Sequence, residues 1–307
     1  MLRYAFWRMM TAVPTLFVVV TLSFFMIRIA PGGPFDQERA LDPVIRANLE
    51  RTYHLDLPLV QQYGIYLKNL LHGDLGPSFT MPEFSVAELL HAGLPVSIRI
   101  GGLALLLALI LGGAMGVIAA LYRDGWADRA VVGFATAGST IPTFVVAPLF
   151  QLVFALGLNW LPVGGWNDGA FHNLIGPVIC LMLPQLAVVA RLMRSSMIEA
   201  LHTHHIRTAR AMGLSEAAVV GRHALRSALL PVVSYAGPAA AALMTGSVVV
   251  ETVFSIPGIG RYFVDAALNR DYTVVMGAVV VLAVFTILFN LIVDIAYTLV
   301  DPRVRYD

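Results

Sequence analysis

The sequence predicts an all-α integral membrane protein with six transmembrane helices, and three observations carry that expectation. Of its 307 residues 58% are hydrophobic and only 13% are charged, whereas a water-soluble domain carries roughly 25% charged residues. The mean hydropathy is +0.77. Apolar runs of about 20 residues, each long enough to cross a hydrocarbon layer of ~30 Å, recur along the whole chain. Residues 1–307 therefore form one transmembrane domain. The net charge of +1 provides no basic field for nucleic acid and no acidic tail. A single cysteine, Cys180, lies inside an apolar run, which excludes an intrachain disulfide and any CxxC site.

The first span, about 9–28, is bracketed by Arg8 and Arg28 and covers roughly 28 Å at 1.5 Å per residue. Its apolar core is long for a signal peptide and no A-x-A site follows, so the helix is expected to stay uncleaved. A polar segment, 31–95, comes next. Asp42-Pro43 and Pro58 mark helix starts, and Leu59, Tyr63, Tyr66, Leu67, Leu70 and Leu71 repeat at helical spacing up to Gly73-Asp74-Leu75-Gly76. Ser85-Val86-Ala87-Glu88 is a capping box that opens a third helix of this external cap. Such amphipathic helices either rest on the membrane surface or dock a soluble partner.

The second span, 100–122, carries Gly101, Gly102, Gly112, Gly113 and Gly116, small residues that let helices approach closely. The third, 130–161, contains Pro142 and Pro148 and is expected to tilt or kink, with neighbours satisfying the freed carbonyls. The fourth, 171–190, holds Pro177 and Pro184; the fifth, 228–253, holds Pro231 and Pro238; the sixth is 272–300. Six spans put both termini on one side. Arg3, Arg8, Arg123, Arg129, Arg191, Arg194, Arg207, Arg210, Arg222, Arg226, Arg303 and Arg305 share that side, while Arg39, Arg46, Arg51, Lys68, Arg261 and Arg270 fall opposite. Short cytoplasmic loops collect arginine and lysine, so the termini are expected in the cytoplasm.

The loop 191–227 is too apolar for a floppy connector and predicts two helices. Met197 to Met212 forms the first, stopped by Gly213 at C′ and Leu214 after it in a Schellman-type turn. Ser215 caps a second from Glu216 that runs toward the fifth span.

Several chemistries are excluded. A P-loop needs a lysine followed by Ser or Thr, and the one lysine, Lys68, precedes Asn69. Neither H-E-x-x-H nor G-x-S-x-G occurs. His202, His204 and His205 cluster with only Glu199 nearby, so no metal site is expected. No catalytic residues are assigned. Polar residues at membrane depth are pathway or gating candidates by default: Gln185, Glu251, Asn290 and Asp294. Glu251 is either functional or solvated at the interface, and Asp294 is either functional or a structural partner of an arginine or helix end. The second to fourth spans lack the carboxylates of a proton-coupled carrier, so a secondary carrier is the weaker reading and a non-transporting scaffold another. What remains is a bundle with a cap, a helical loop and no energy source of its own.

That loop carries a family resemblance. Arg207-Thr208-Ala209-Arg210-Ala211-Met212-Gly213-Leu214-Ser215, then Arg222-His223-Ala224-Leu225 and Ala228-Leu229-Leu230-Pro231, resembles the EAA loop of peptide-type ABC importer permeases. The likeness continues through Pro142-Thr143-Phe144, Glu251-Thr252-Val253-Phe254-Ser255-Ile256-Pro257-Gly258-Ile259-Gly260, Asn269-Arg270-Asp271-Tyr272 and Asp301-Pro302-Arg303, covering essentially the whole chain. The external segment is most similar to the B-type subunits of oligopeptide permeases, through Ala30-Pro31-Gly32-Gly33-Pro34-Phe35, Tyr53-His54-Leu55, Gln62-Tyr63 and Gly73-Asp74-Leu75-Gly76-Pro77-Ser78-Phe79. Dipeptide, glutathione and nickel permeases are similarly built. One departure is that the Glu-Ala-Ala naming the loop is Arg207-Thr208-Ala209 here.

The resemblance implies a type I ABC importer transmembrane domain, and a non-catalytic permease subunit for oligopeptides in a bacterial inner membrane. It implies a second, C-type permease subunit, two cytoplasmic ATPase subunits that bind ATP and Mg, and an extracytoplasmic peptide-binding protein, with no cofactor in this chain. Arg207, Thr208, Ala209, Arg210, Ala211, Gly213 and Leu214 would then form the coupling element that docks on an ATPase. For Arg207 and Arg210 the positive-inside rule is the competing explanation.

Overall fold

The computed structural model describes residues 2–29, 48 and 50–300, without the side chains of 2–9 and 296–300. The Asp42-Pro43 helix start, the 30–35 motif, Arg39, Arg46, Asp301-Pro302-Arg303, Arg305 and the side chains of Arg3 and Arg8 lie outside the described residues. Within them the regular structure is helical: α1 (Leu2–Ile29), α2 (Leu59–Leu71), α3 (Val86–Leu121), α4 (Trp126–Thr140), α5 (Thr143–Phe150), α6 (Phe171–Leu201), α7 (His204–Ala211), α8 (Glu216–Ala218), α9 (Leu225–Met244), α10 (Val248–Val253), α11 (Ile259–Leu268) and α12 (Tyr272–Val300). Five stretches are long and apolar enough to cross a membrane: Met10–Ile29, Val86–Leu121, Phe171–Leu201, Glu216–Val253 and Tyr272–Ile295. The pair α4 and α5 with its continuation to Gly157 is long and apolar enough only when taken together, and is bent by 99° at its break, as in a broken span or a re-entrant loop.

The capping box at Ser85 forms as expected, with Ser85 Oγ accepting from Glu88 N at 3.2 Å and Glu88 Oε2 accepting from Ser85 N at 2.8 Å. It opens a different element, however. Rather than a separate cap helix ending before 95, it starts the 36-residue α3, which passes through Pro95 into the span. Pro95 removes one backbone bond, while Leu89, Leu90, Val96 and Ile100 on either side are buried and hold the two halves in line.

The bundle centre is α3 packed on α6. Gly112 and Gly116 lie one turn apart on α3; a Cβ at Gly112 would stand 2.8 Å from Leu186 O, and one at Gly116 2.6 Å from Ala190 O. The absence of side chains lets the two backbones touch. Ala104, Leu105, Val178, Leu181, Leu243 and Val250 extend this core onto α9 and α10.

The third span breaks at its proline. Ile141, before Pro142, is pushed to φ −79°, ψ 119°, the extended region that a following proline demands, and Pro142 then opens α5. Thr140 Oγ1 donates back to Thr136 O, one turn earlier, at 2.7 Å. Pro148, inside α5, does not interrupt it. Beyond Phe150 the helix widens into a π-helical stretch, Gln151–Gly157.

At the arginine-rich end of the bundle, Asp128 at the start of α4 meets Arg194 near the end of α6. Arg194 Nε and Nη2 donate to the two carboxylate oxygens at 2.5 and 2.7 Å, and the Asp128 side chain is only 4% exposed. At the opposite end, Asp271 is fully buried before α12. It accepts from Ser78 Oγ at 2.5 Å, Thr80 N at 3.1 Å, Thr80 Oγ1 at 2.9 Å and Val274 N at 3.2 Å. Turn 76–85 is thereby tied to the last span.

Candidate functional site

The loop after the fourth span is built on a buried floor. Met193, Met197 and Ala200 recur on one face of α6, which runs on to Leu201. The helix expected from Met197 therefore starts at His204, and Met197–Leu201 belongs to α6. Packing decides this: the buried face continues without a change of phase, and the break waits for Thr203, extended at φ −70°, ψ 154°. In α7, Ile206 and Ala209 turn down onto that floor together with Val219 and Ala224. Arg207, Thr208, Arg210 and Ala211 are left exposed.

The end of α7 is a complete Schellman motif. Gly213 N donates to Arg210 O at 2.9 Å and Leu214 N to Ala209 O at 3.3 Å, with Gly213 at φ +79°. This left-handed turn, open to glycine at no steric cost, throws Met212 and Leu214 outward at 77% and 41% exposure. Ser215 Oγ then accepts from Ala218 N at 3.4 Å to open α8. From Val219 to Ala224 the helix is π-type before becoming α9, so the loop runs without a break into α9 as far as Met244, while Gly246, at φ +107°, separates α9 from α10 within the expected fifth span.

Across the turn, Arg210 donates to both oxygens of Glu216, at 2.8 and 3.1 Å. Both groups are well exposed, so the pair fixes geometry more than it stabilises. Arg207 has no ion pair among the described residues. The result is a short protruding helix with a free guanidinium and two exposed apolar side chains. Through Ile206 and Ala209 this helix is packed onto residues of both α6 and α9.

The four membrane-depth candidates enter different networks. Gln185 on α6 accepts from Tyr235 OH on α9, bridging two spans. Glu251 is buried at 2% exposure, which removes the solvated-interface reading. Its carboxylate accepts from Ser97 Oγ at 2.8 Å and Arg261 N at 3.2 Å, and the same hydroxyl accepts from Ile259 N at 3.0 Å. Glu251 thus pins turn 255–260 onto α3. Asn290 and Asp294 lie one turn apart on α12, both half-buried. Among the described residues no three His, Cys, Asp or Glu side chains converge on a metal position.

Two polar networks escaped sequence reasoning, Asp128 with Arg194 and Asp271 with Ser78 and Thr80. Asp128 lies near Arg123 and Arg129 and reads as surface; its partner is 66 residues away.

Comparison with known proteins gives concordant findings. Residues 112–306 match the family described as binding-protein-dependent transport system inner membrane component. The chain is 52% identical over 306 residues to the oligopeptide transport system permease protein OppB of Salmonella typhimurium, covering 100% of both. It is 51% identical to the protein of that name from Escherichia coli, again over 100% of each. The dipeptide transport system permease protein DppB of Bacillus subtilis is 42% identical over 305 residues, 99% of this chain and 98% of that one. Among solved structures, the MetNI methionine ABC transporter in an inward-facing conformation matches with a TM-score of 0.59 at 18% identity, over 70% of this chain and 97% of that chain.

Proposed function

Since this chain belongs to the binding-protein-dependent transport system inner membrane components, we propose that it is the B-type permease subunit of an ATP-driven importer for oligopeptides. It supplies half of the translocation pathway, and a second, C-type permease subunit supplies the other half. Two cytoplasmic ATPase subunits bind ATP and Mg and perform the hydrolysis; an extracytoplasmic binding protein delivers the peptide. The chain itself is non-catalytic and carries no cofactor. It sits in a bacterial inner membrane with both termini cytoplasmic, the side to which short arginine-rich loops belong.

The observation that carries this reading is α7 with its Schellman turn. A chain with no P-loop needs an external drive, and α7 is the exposed element seated directly on two spans. Nucleotide-dependent closure of the ATPase pair would pull on Arg207, Arg210, Met212 and Leu214. The buried contacts of Ile206 and Ala209 would pass that pull to α6 and α9 as rigid bodies. Gln185 with Tyr235, and Asn290 and Asp294, are proposed to line or gate the path, whereas Glu251 holds the fold.

Native mass spectrometry of the gently solubilised protein, with uptake measured in vesicles, tests this. Two ATPase chains and a second permease should co-purify, and labelled oligopeptide should enter only with ATP. Recovery alone, or uptake driven by an ion gradient without ATPases, would replace the reading with a secondary carrier. The 42% identity to the Bacillus protein named for dipeptides supports a second reading, a dipeptide importer of the same build. Competition between di- and oligopeptides separates the two.

A further inference from the structure

The two ends of α9 are joined to the rest of the chain in different ways. At its start, Leu225 continues the π-helical stretch that leads back to α8 and α7. At its far end the helical ladder stops with Thr245 N donating to Ala241 O at 3.1 Å, and resumes only with Glu251 N donating to Ser247 O at 2.9 Å. Between the two lie Gly246, at φ +107°, a conformation glycine takes at no steric cost, and Ser247, extended at φ −90°, ψ 96°.

Beyond this break, α10, the turn after it and α11 form a hairpin fastened to α3. Glu251 and Ser97 are 2% and 1% exposed. Ser97 Oγ accepts from Ile259 N at 3.0 Å, so its single proton goes to Glu251 Oε1 at 2.8 Å, while Arg261 N donates to Glu251 Oε2 at 3.2 Å. Both carboxyl oxygens therefore accept, which a carboxylate can do and an amide cannot. The hairpin backbone closes tightly round these groups: a Cβ at Gly258 would stand 2.3 Å from Glu251 Oε2 and 2.6 Å from Ser97 Oγ, and one at Gly93 on α3 would stand 3.1 Å from Ile259 N. Two more bonds reach the neighbouring external loop and the π-helical end of the third span, from Gly165 N to Phe254 O at 2.8 Å and from Gln151 Nε2 to Val253 O at 3.0 Å.

α3 also seats the last turn of α9. Gly101, one turn after Ser97, is so close that a Cβ there would stand 2.3 Å from Leu243 O. One helix thus holds the end of α9 at Gly101 and the hairpin at Ser97, with the glycine break between them. The 20 residues of α9 extend about 30 Å from this seat, toward α7.

We infer that Glu251 is a positioning residue for transport: with Ser97 it anchors the external end of the fifth span to α3, and α9 is a lever that turns about Leu243–Gly246. The inference rests on the proposed coupling role of α7. A pull arriving through α7 swings the near end of α9, and a rotation of about 15° moves that end by about 8 Å. The hairpin stays in place, so the path widens at the cytoplasmic end while the external end keeps its shape.

The test measures spin-label distances in the assembled transporter, with Cys180→Ala as background, free of nucleotide and with ATP and vanadate. His91→Cys with Leu268→Cys reports the hairpin against α3, and Tyr122→Cys with Ser227→Cys reports the cytoplasmic ends of α3 and α9; all four positions are exposed. The second distance should shift by several ångströms between the two states and the first should not change. Glu251→Gln turns an amide N–H toward Arg261 N and should broaden the first distance and lower peptide imported per ATP hydrolysed by about tenfold; Ser97→Ala should do the same. A brace needed only for folding would lower the yield of assembled transporter and leave that ratio unchanged. The distances in the parent report even if both variants fail to assemble. Uptake that needs no ATPase would overturn the functional reading and the lever with it. ATP-driven uptake with equal shifts at the two ends, with no shift at either, or with an unchanged ratio in Glu251→Gln would overturn the lever alone.

Discussion

Replacing Gly213 tests the backbone of the turn after α7, the proposed coupling element, separately from its side-chain contacts. A Cβ at this position would meet no atom within 4 Å, so alanine adds no clash and its whole effect comes from φ +79°. A left-handed L-residue costs about 1–2 kcal/mol, a change of about 5–30-fold in the population of the docking-competent turn. Asparagine visits this region more readily and should cost less. Proline is incompatible twice over: its φ is locked near −65°, and it lacks the N–H that donates to Arg210 O at 2.9 Å. The expected order of ATP-dependent uptake is glycine, asparagine, alanine, with proline abolishing transport while membrane insertion stays intact. The assay is labelled-tripeptide uptake into proteoliposomes holding the complete transporter and its binding protein, normalised to permease content. Normal uptake by Gly213→Pro would refute the reasoning. So would equal impairment by asparagine and alanine, because that would mean the position acts through a contact and not through its conformation.

Other perturbations separate the remaining contacts. Arg194→Met leaves the buried Asp128 carboxylate unpaired and should lower stability by about 3 kcal/mol; adding Asp128→Asn should restore part of the lost melting temperature, and an unchanged melting temperature in the single variant would count against the pair. Gly116→Ala places a Cβ 2.6 Å from both Ala190 O and Met193 Cβ and should cost about 1–3 kcal/mol. Gly113→Ala, whose nearest new neighbour is Met193 Cε at 3.8 Å, is the matched control and should melt like the parent. Burial opposes the charge of Asp271, yet hydrogen bonds from Ser78, Thr80, Val274 and Thr273 together hold its carboxyl below the usual range. Its stabilisation is therefore complete above the ordinary aspartate pKa and disappears as pH falls through the lower folded value. Acid titration of the melting temperature should show this loss in the parent and a flatter profile in Asp271→Asn; parallel profiles would disprove the role.

What could be read from the chain depended on the range of the interactions involved. Length and apolarity picked out the helices long enough to cross a bilayer, because that is a property of each segment alone. The Ser85 capping box and the Gly213 stop were legible for a similar reason, being made by residues within a few positions of one another. Their consequences were less so. Pro95 suggested an end and Leu201 did not, but the helix runs through the first and stops after the second, because buried neighbours on other helices set both outcomes. A kink at Pro142 was expected; an angle of 99° depends on what each half packs against. Among the site candidates, the surroundings of Glu251 stayed open in the sequence because nothing there shows Ser97, 154 positions earlier, donating to it.

The π-helical stretch from Val219 to Ala224 bears on how such a chain can change length through descent. A π turn holds one residue more than an α ladder needs over the same rise. The join between α8 and α9 is thus where a residue can be lost while the helix on each side keeps its face. Gly221 is exposed there, with open space around it. A single-residue deletion at that point should be absorbed by tightening to α, whereas the same deletion in α7 would rotate Ile206 or Ala209 off the floor. Relatives that differ by one residue in this region would be expected to differ here.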